Sequence, residues 1–313
     1  MDDPRLGRPP VGVEPAAAQR PAVVRSVALL LARLEVILVE SGISEPVAEA
    51  REIVAALHDA PRFWPVANAH LPVTDGFWNR AVSSARRRGQ GAPNAYAVGR
   101  AAFRHLTLEV DERVLIPRPE TELLVDLVLD EQQDRPGGVV IDVGTGSGAI
   151  ALALATEGGA GFDCVYGTDV SLDAIQVAHA NLRRVERHVQ SPVQFVHGSV
   201  LAGLGNTRPS VVVSNPPYIA YEESEALPPS VRNWEPAVAL FSAGQGLSLT
   251  RRLVVEAAKA LRPGGLLALE VDARRAALVA ELVSANARFA TVAVRLDLTG
   301  RERFVLARRQ ERG

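Results

Sequence analysis

Asp142-Val143-Gly144-Thr145-Gly146-Ser147-Gly148-Ala149 is the stretch on which the reading of the fold turns. It follows the apolar run Val139-Val140-Ile141 and leads into Ala149-Ile150-Ala151-Leu152-Ala153-Leu154-Ala155. The first run predicts a buried strand over 139–143, and the second opens a helix over 149–155. Glycines between them let the backbone turn tightly and approach a ligand with no Cβ in the way. Gly144, Gly146 and Ala149 fit the G-x-G-x-x-G/A spacing of a dinucleotide site, but that spacing alone does not identify a ligand. About twenty residues on, Asp169 closes the next apolar run, where a carboxylate suits ribose hydroxyls. Its other available job is to cap the helix that follows, and Ser171 competes for that role.

Outward from this stretch the chain repeats strand, turn and helix. Strands are expected over 164–168, 193–196, 211–214 and 266–271, with helices over 171–184 and 249–261. Such alternation implies a parallel, doubly wound sheet covered by helices on both faces. Ligands in such sheets bind at the carboxyl ends of the strands, near the reversal of strand order. Ser214-Asn215-Pro216-Pro217-Tyr218 falls at one such end. Its two prolines fix one extended loop. The Asn215 side-chain oxygen and the Pro216 carbonyl can accept the two protons of a target –NH2, and Tyr218 offers a flat face to a planar amide or base. Two acceptors favour the form in which positive charge develops on nitrogen, which is transition-state stabilisation. Asp142 bears on the cofactor. An acid just before the glycines repels a pyrophosphate but not a cationic sulfonium, so the loop fits S-adenosylmethionine better than NAD.

Toward the N-terminus, residues 1–22 are rich in Pro, Ala and Arg without periodicity, and a disordered tail is expected. Over 24–60 the pattern is helical, with Leu29, Leu30, Leu34 and Ile37 at spacings of about three and four. Ser41-Gly42 breaks the run, Ser44 is a candidate cap for a helix over 45–58, and a third helix is expected over 75–88. Together 23–99 read as a small helical domain, with Arg86-Arg87-Arg88 as a solvated helix end or a partner patch. Phe103, Leu106, Leu108 and Val110 predict a strand or hairpin within a linker over 100–118. Val114-Leu115-Ile116-Pro117-Arg118-Pro119-Glu120-Thr121-Glu122 is then an extended loop, followed by a helix over 122–131.

Bulk properties narrow the classes. The chain has 313 residues, 47% of them hydrophobic, which suffices for one α/β domain and a smaller companion. A net charge of -2 argues against a protein that lives on a phosphate backbone; that almost all the positive charge is Arg reads as coding bias and not as function. The single cysteine, Cys164, excludes an internal disulfide and a cysteine-based metal site; it reads as a buried, inert thiol, and no metal is expected. No apolar run reaches the roughly 18 residues of a membrane span, and Met1-Asp2-Asp3-Pro4 lacks the basic start of a signal peptide. A cytoplasmic location is expected.

These motifs bring a family into view. From about residue 25 onward the chain resembles the protein-(glutamine-N5) methyltransferases that act on peptide-chain release factors. The resemblance rests on Ala48-Glu49-Ala50-Arg51-Glu52, the run around Tyr96, Leu115-Ile116-Pro117-Arg118-Pro119-Glu120-Thr121-Glu122, the glycine loop and Asn215-Pro216-Pro217-Tyr218. It continues through Trp234-Glu235-Pro236, Ala239-Leu240 and Asp297-Leu298-Thr299-Gly300-Arg301. The Pro-Arg-Pro-Glu-Thr-Glu run is far more specific than the Asn-Pro-Pro-Tyr loop, which many amino-group methyltransferases share. The resemblance implies a seven-stranded, Rossmann-like methyltransferase sheet over 119–313. It implies S-adenosylmethionine contacts at Gly144, Thr145, Gly146, Ser147, Gly148, Asp169 and Asn215. Glutamine contacts fall at Asn215, Pro216, Pro217 and Tyr218, with Asn215, Pro216 and Tyr218 as the catalytic set. The helical domain would help dock a release factor and its Gly-Gly-Gln loop, the enzyme acting as a monomer with no stable nucleic-acid or membrane partner. Three positions depart from the family pattern: Ser199 where an acid is usual near the adenine, Gln245 in Ala243-Gly244-Gln245-Gly246-Leu247, and Asp272 after Val271. The alternatives are an adenine-N6 methyltransferase acting on a flipped base, a paralogue acting on another protein glutamine, a dinucleotide-dependent oxidoreductase and a non-catalytic module.

Overall fold

Ser26 and Thr74 each turn a side-chain oxygen onto the free amides of the helix that follows, accepting from the Leu29 and Phe77 N–H groups at 3.2 Å. In the computed structural model, which describes residues 25–311, they begin α1 (Val27–Glu40) and α4 (Asp75–Gly89). Between these lie α2 (Pro46–His58) and the short α3 (Trp64–Ala67), and α5 (Asn94–Val98) follows. The expected tail over 1–22 lies outside the described residues. Leu30, Leu34, Leu38, Ile53, Val54 and Ala81 meet in the core of this unit with no exposed surface. Of the expected apolar stripe, Leu30, Leu34 and Ile37 are buried and are joined by Leu38, whereas Leu29 is 45% exposed. Ser44 does not cap α2. Pro46 takes the first helical position, where its missing N–H costs nothing, and Glu45 precedes it without a side-chain bond. The basic end of α4 is engaged at two positions: Arg88 grips Glu49 with bonds of 2.5 and 2.8 Å, and Arg87 pairs with Glu112.

A hairpin of β1 (Arg100–Phe103) and β2 (Leu106–Glu109) leads out of the helices, with Phe103 paired to Leu106 across a two-residue turn. Arg104 in that turn has φ +52° and is held by Asp126 and Glu157 at 2.7 and 2.6 Å. Then comes α6 (Pro119–Gln132), which begins three residues before the expected 122 because Pro119 suits a first helical position and Glu120 complements the helix dipole.

The remaining strands form one seven-stranded sheet. They are β3 (Val139–Val143), β4 (Cys164–Asp169), β5 (Val193–His197), β6 (Val211–Ser214), β7 (Leu266–Glu270), β8 (Phe289–Leu296) and β9 (Glu302–Arg309). Their order is β5-β4-β3-β6-β7-β9-β8. The first five run parallel, whereas β9 pairs antiparallel with both β7 and β8. The expectation of a parallel sheet is therefore corrected at one edge, where a tight turn around Gly300 makes a hairpin instead of a helical crossover. Helices α7 (Ala149–Glu157), α8 (Leu172–Val185), α9 (Pro229–Arg232), α10 (Ala237–Leu240), α11 (Ser248–Ala260) and α12 (Ala276–Ser284) complete the chain.

Strand side chains alternate between two cores. Val211, Val213, Leu266 and Ala268 join the core under α6, α7 and α8, while Val212, Leu267 and Leu269 join that under α11 and α12. Burial on both faces explains why these strands read as unbroken apolar runs. After β3 the chain steps outward to β4 and β5, then returns to the far side of β3 as β6. The loops after β3 and β6 therefore diverge, and the opening between them is the switch point where such sheets take ligands. Both motifs sit on those two loops.

Candidate active site

At the carboxyl end of β3 the Gly144 and Thr145 amides both donate to the Thr168 carbonyl, at 2.8 and 2.9 Å, which bends the loop over β4. Gly146 has φ +54°, and no atom lies within 4 Å of the place a Cβ would take. Its amide donates to Asp169 Oδ2 at 3.0 Å, and the Ser171 amide donates to Oδ1 at 2.9 Å. Ser171 Oγ itself accepts from the Ala174 amide, so Ser171 is the cap of α8. Asp169 is left at the cavity wall, its carboxyl held above the usual range by burial. Thr145 turns the other way. Its hydroxyl donates to Asp142 Oδ2 at 2.7 Å, which also accepts from the Ala151 amide at 3.2 Å.

Asp142 has no exposed surface and lines none of the cavities described below. Burial pushes its carboxyl up to about 7. This corrects the expected role: the carboxylate buckles the loop from beneath and does not screen a ligand by its charge. Ser147 is buried, and its carbonyl accepts from Asn181 Nδ2 at 2.9 Å. Asn181 also binds both backbone groups of Glu109, tying the hairpin to the glycine loop. Gly148 packs against the Phe195 ring and lines no described cavity.

At the end of β6 the Ser214 hydroxyl donates to the Val143 carbonyl at 2.7 Å, so the two functional loops leave the sheet locked together. Asn215 Nδ2 donates to Thr121 Oγ1 at 3.0 Å, and that hydroxyl donates to Glu270 Oε2 at 2.7 Å. Burial pushes the Glu270 carboxyl up to about 7. It also pushes the Tyr218 hydroxyl up to about 12, with the Glu270 charge adding to the effect, so Tyr218 stays neutral at physiological pH. Gly246 passes directly over this loop. A Cβ there would stand 2.1 Å from the Tyr218 carbonyl oxygen, and φ is +81°.

Two cavities meet at Asn215. The first, about 360 Å³, runs from Gly144, Gly146 and Asp169 past Val200 and Phe241 to Asn215. The second, about 280 Å³, is lined by Arg118, Asn215, Pro216, Tyr218, Ile219 and Leu240. Leu115, Asn215, Pro217 and Ala239 line both. A narrow space of about 50 Å³ behind them touches Thr121, Thr145 and Ser147. Arg118 pairs with Glu235, whose side chain is 1% exposed, and the Ile116 amide reaches the same carboxylate at 3.4 Å. The Pro-Arg-Pro-Glu-Thr-Glu run and Trp234-Glu235-Pro236 thus form one strap beside the second cavity. Reasoning from sequence gave no site role to Leu115, Thr121, Asn181, Glu235 or Glu270; Leu115, Thr121 and Glu235 entered only as members of the runs that carried the resemblance.

The three departures have partners here. Ser199 Oγ accepts from Arg252 at 2.9 Å, and both Arg252 and Gly198 border the first cavity. Gln245 has φ +59°, and its carbonyl accepts from Arg275 Nε at 2.9 Å. Asp272 pairs with Arg274 and Arg275 at 2.7 and 3.3 Å, and Arg275 reaches on to Glu223 at 2.8 Å. Cys164 is half-buried, not fully enclosed, and burial raises its thiol. No helix among the described residues is long and apolar enough to cross a membrane.

Residues 30–99 match the model of the PrmC N-terminal domain, and residues 119–227 match that of the methyltransferase small domain. Curated relatives called release factor glutamine methyltransferase include one from Deinococcus radiodurans, 38% identical over 90% of this chain and 97% of its own length. One from Gloeobacter violaceus is 39% identical over 78% and 82%, and one from Streptomyces coelicolor is 34% identical over 87% and 94%. Among solved structures, the hMettl16 catalytic domain in complex with the MAT2A 3′UTR hairpin 6 shares the fold. Its TM-score is 0.51 at 16% identity, covering 77% of this chain and 83% of that one.

Proposed function

The chain belongs to the release factor glutamine methyltransferase family, and from that premise we propose that it transfers a methyl group from S-adenosylmethionine to the side-chain amide nitrogen of the glutamine in the Gly-Gly-Gln motif of a peptide-chain release factor. The observation that carries the reading is the position of Asn215 in the wall shared by two cavities.

The first cavity suits the cofactor. Gly144 and Gly146 leave its floor free of side chains, and Asp169 stands where a carboxylate can take hydroxyl protons. When bound, S-adenosylmethionine supplies an electrophilic methyl group. The second cavity takes the glutamine. An amide nitrogen is a poor nucleophile because its lone pair is delocalised. Asn215 Oδ1 and the Pro216 carbonyl accept its two protons, orient it, and favour the positive charge that develops there. Orientation supplies much of the remaining gain. Neutral Tyr218 gives the planar amide an apolar face without a competing charge. The same reading places the protein in the cytoplasm as a monomer, with no stable nucleic-acid partner; its net charge of -2 supports the last point.

The test is methyl transfer from labelled cofactor to the cognate release factor and to its Gln→Ala form in the Gly-Gly-Gln loop. Label on the first alone is expected. Equal label on both, or on neither, would remove this glutamine as the acceptor. Asn215→Ala should lower kcat by ~10²–10³-fold, as for loss of one aimed hydrogen-bonding group, with cofactor affinity kept.

A further inference from the structure

The chain Glu270–Thr121–Asn215 has a direction. A carboxylate only accepts, so Thr121 must spend its single hydroxyl proton on Glu270 Oε2 at 2.7 Å. The hydroxyl oxygen is then left as an acceptor and takes Asn215 Nδ2 at 3.0 Å. With its nitrogen engaged, the Asn215 amide must present Oδ1 on its other side. Resting on the function proposed above, we propose that Thr121 and Glu270 are positioning residues that fix which end of the Asn215 amide faces the substrate.

The direction matters because an asparagine amide is nearly symmetric in shape and opposite in hydrogen bonding at its two ends. A flipped Asn215 would meet the substrate –NH2 with its own –NH2, donor against donor. Nothing in the rigid Pro216-Pro217 backbone prevents that flip, since it is a rotation of the side chain alone. Protonated Glu270 would reverse the chain: its carboxyl proton would go to Thr121, and the Thr121 proton would go to Asn215 Oδ1. Glu270 is 2% exposed and ionises near 7 in the fold. The groups acting on it are Thr121, Arg118 and Glu120 at the start of α6, Arg303 on β9, and the neighbouring Tyr218. A tie between α6 and β7 alone would be served as well by an apolar pair, without the cost of burying a carboxylate.

Two measurements decide this, one of which needs no substrate. The Asn215 side-chain NH2 resonance, assigned by its loss in Asn215→Ala, is followed by nitrogen-15 NMR from pH 5.5 to 8.5. It is expected to move with one ionisation in the wild type, to stay fixed in Glu270→Gln, and to exchange with solvent about tenfold faster in Thr121→Val. In turnover with release factor, Thr121→Val should lose ~10–100-fold in kcat with cofactor affinity within about twofold of wild type, and Thr121→Ser should recover most of the loss. An Asn215 resonance indifferent to pH and to Thr121→Val overturns the proposal. So does a Thr121→Val enzyme that keeps its kcat, or one that loses kcat and cofactor affinity together. If the wild type labels no release factor, the functional reading fails, and the resonance still decides the positioning.

Discussion

At the residue scale the site separates two carboxylates that look alike in the sequence. Asp142 and Asp169 both end strands of the same sheet, yet one is sealed beneath the glycine loop and the other stands at the cavity wall. Asp169→Ala removes the only carboxylate bordering the first cavity among the described residues. We expect it to weaken cofactor binding by ~10–100-fold, in line with ~1.5–3 kcal/mol for a hydrogen bond to a charged group. Calorimetric titration with S-adenosylhomocysteine measures this, and unchanged affinity would take Asp169 out of the site. The placement of Asp169 at the site was legible, because its spacing from the glycines follows from the βα repeat. The role of Asp142 was not legible, because an acid at a strand end reads the same whether it faces the ligand or lies under the loop.

At the scale of elements, the loop after β6 is held from outside the motif. Glu223 lies a few residues beyond Tyr218, and Arg275 clamps it while also holding the Gln245 carbonyl and Asp272. Two of the three departures from the family pattern therefore converge on one guanidinium, which also holds Glu223, the acceptor of the Ala220 amide next to Ile219 in the second cavity's lining. Arg275→Ala should raise the KM for the release factor several-fold and leave cofactor affinity unaltered. A rise in the cofactor Kd of equal size would show that the clamp supports the whole site instead. The parallel strands and the helices α1, α2, α4, α6, α7, α8 and α11 could be read from periodicity and apolar runs, whereas α12 and the one-turn helices α3, α5, α9 and α10 were not. Strand β8 could not be read, since it is largely exposed and carries no clean alternation, while β9 went unread although Phe304–Ala307 form a short buried apolar run. The strap of Arg118 with Glu235 and the chain of Thr121 with Glu270 were hidden for another reason. Their partners lie more than a hundred residues apart, and no local pattern encodes a contact across the sheet.

For the molecule as a whole, two buried carboxyls set how stability responds to pH. Asp142 and Glu270 are both pushed up to about 7, so the folded chain holds their protons more tightly than the unfolded chain does. Their contribution is complete below the ordinary carboxylate range near pH 4 and is lost as pH rises through about 7. The melting temperature should therefore fall between pH 5 and pH 8. Asp142→Asn keeps an acceptor for Thr145 and Ala151 and should flatten that fall; an unaltered slope would mean that other groups control it. The salt links between the helical unit and the sheet, such as Arg184 to Asp59 at 3.0 Å, are half-exposed and contribute little to this balance.

The wall between the two cavities is formed by little more than Leu115, Asn215, Pro217 and Ala239. A single small molecule can therefore occupy both chambers at once. An adenosyl group joined through a short spacer to a carboxamide would place each half in its own chamber, and the second half would bind at the high effective concentration imposed by the first. Such a bisubstrate inhibitor owes its selectivity to the carboxamide end and its contacts with the Arg118–Glu235 strap, because the glycine loop and the Asn-Pro-Pro-Tyr loop are both motifs that many methyltransferases share.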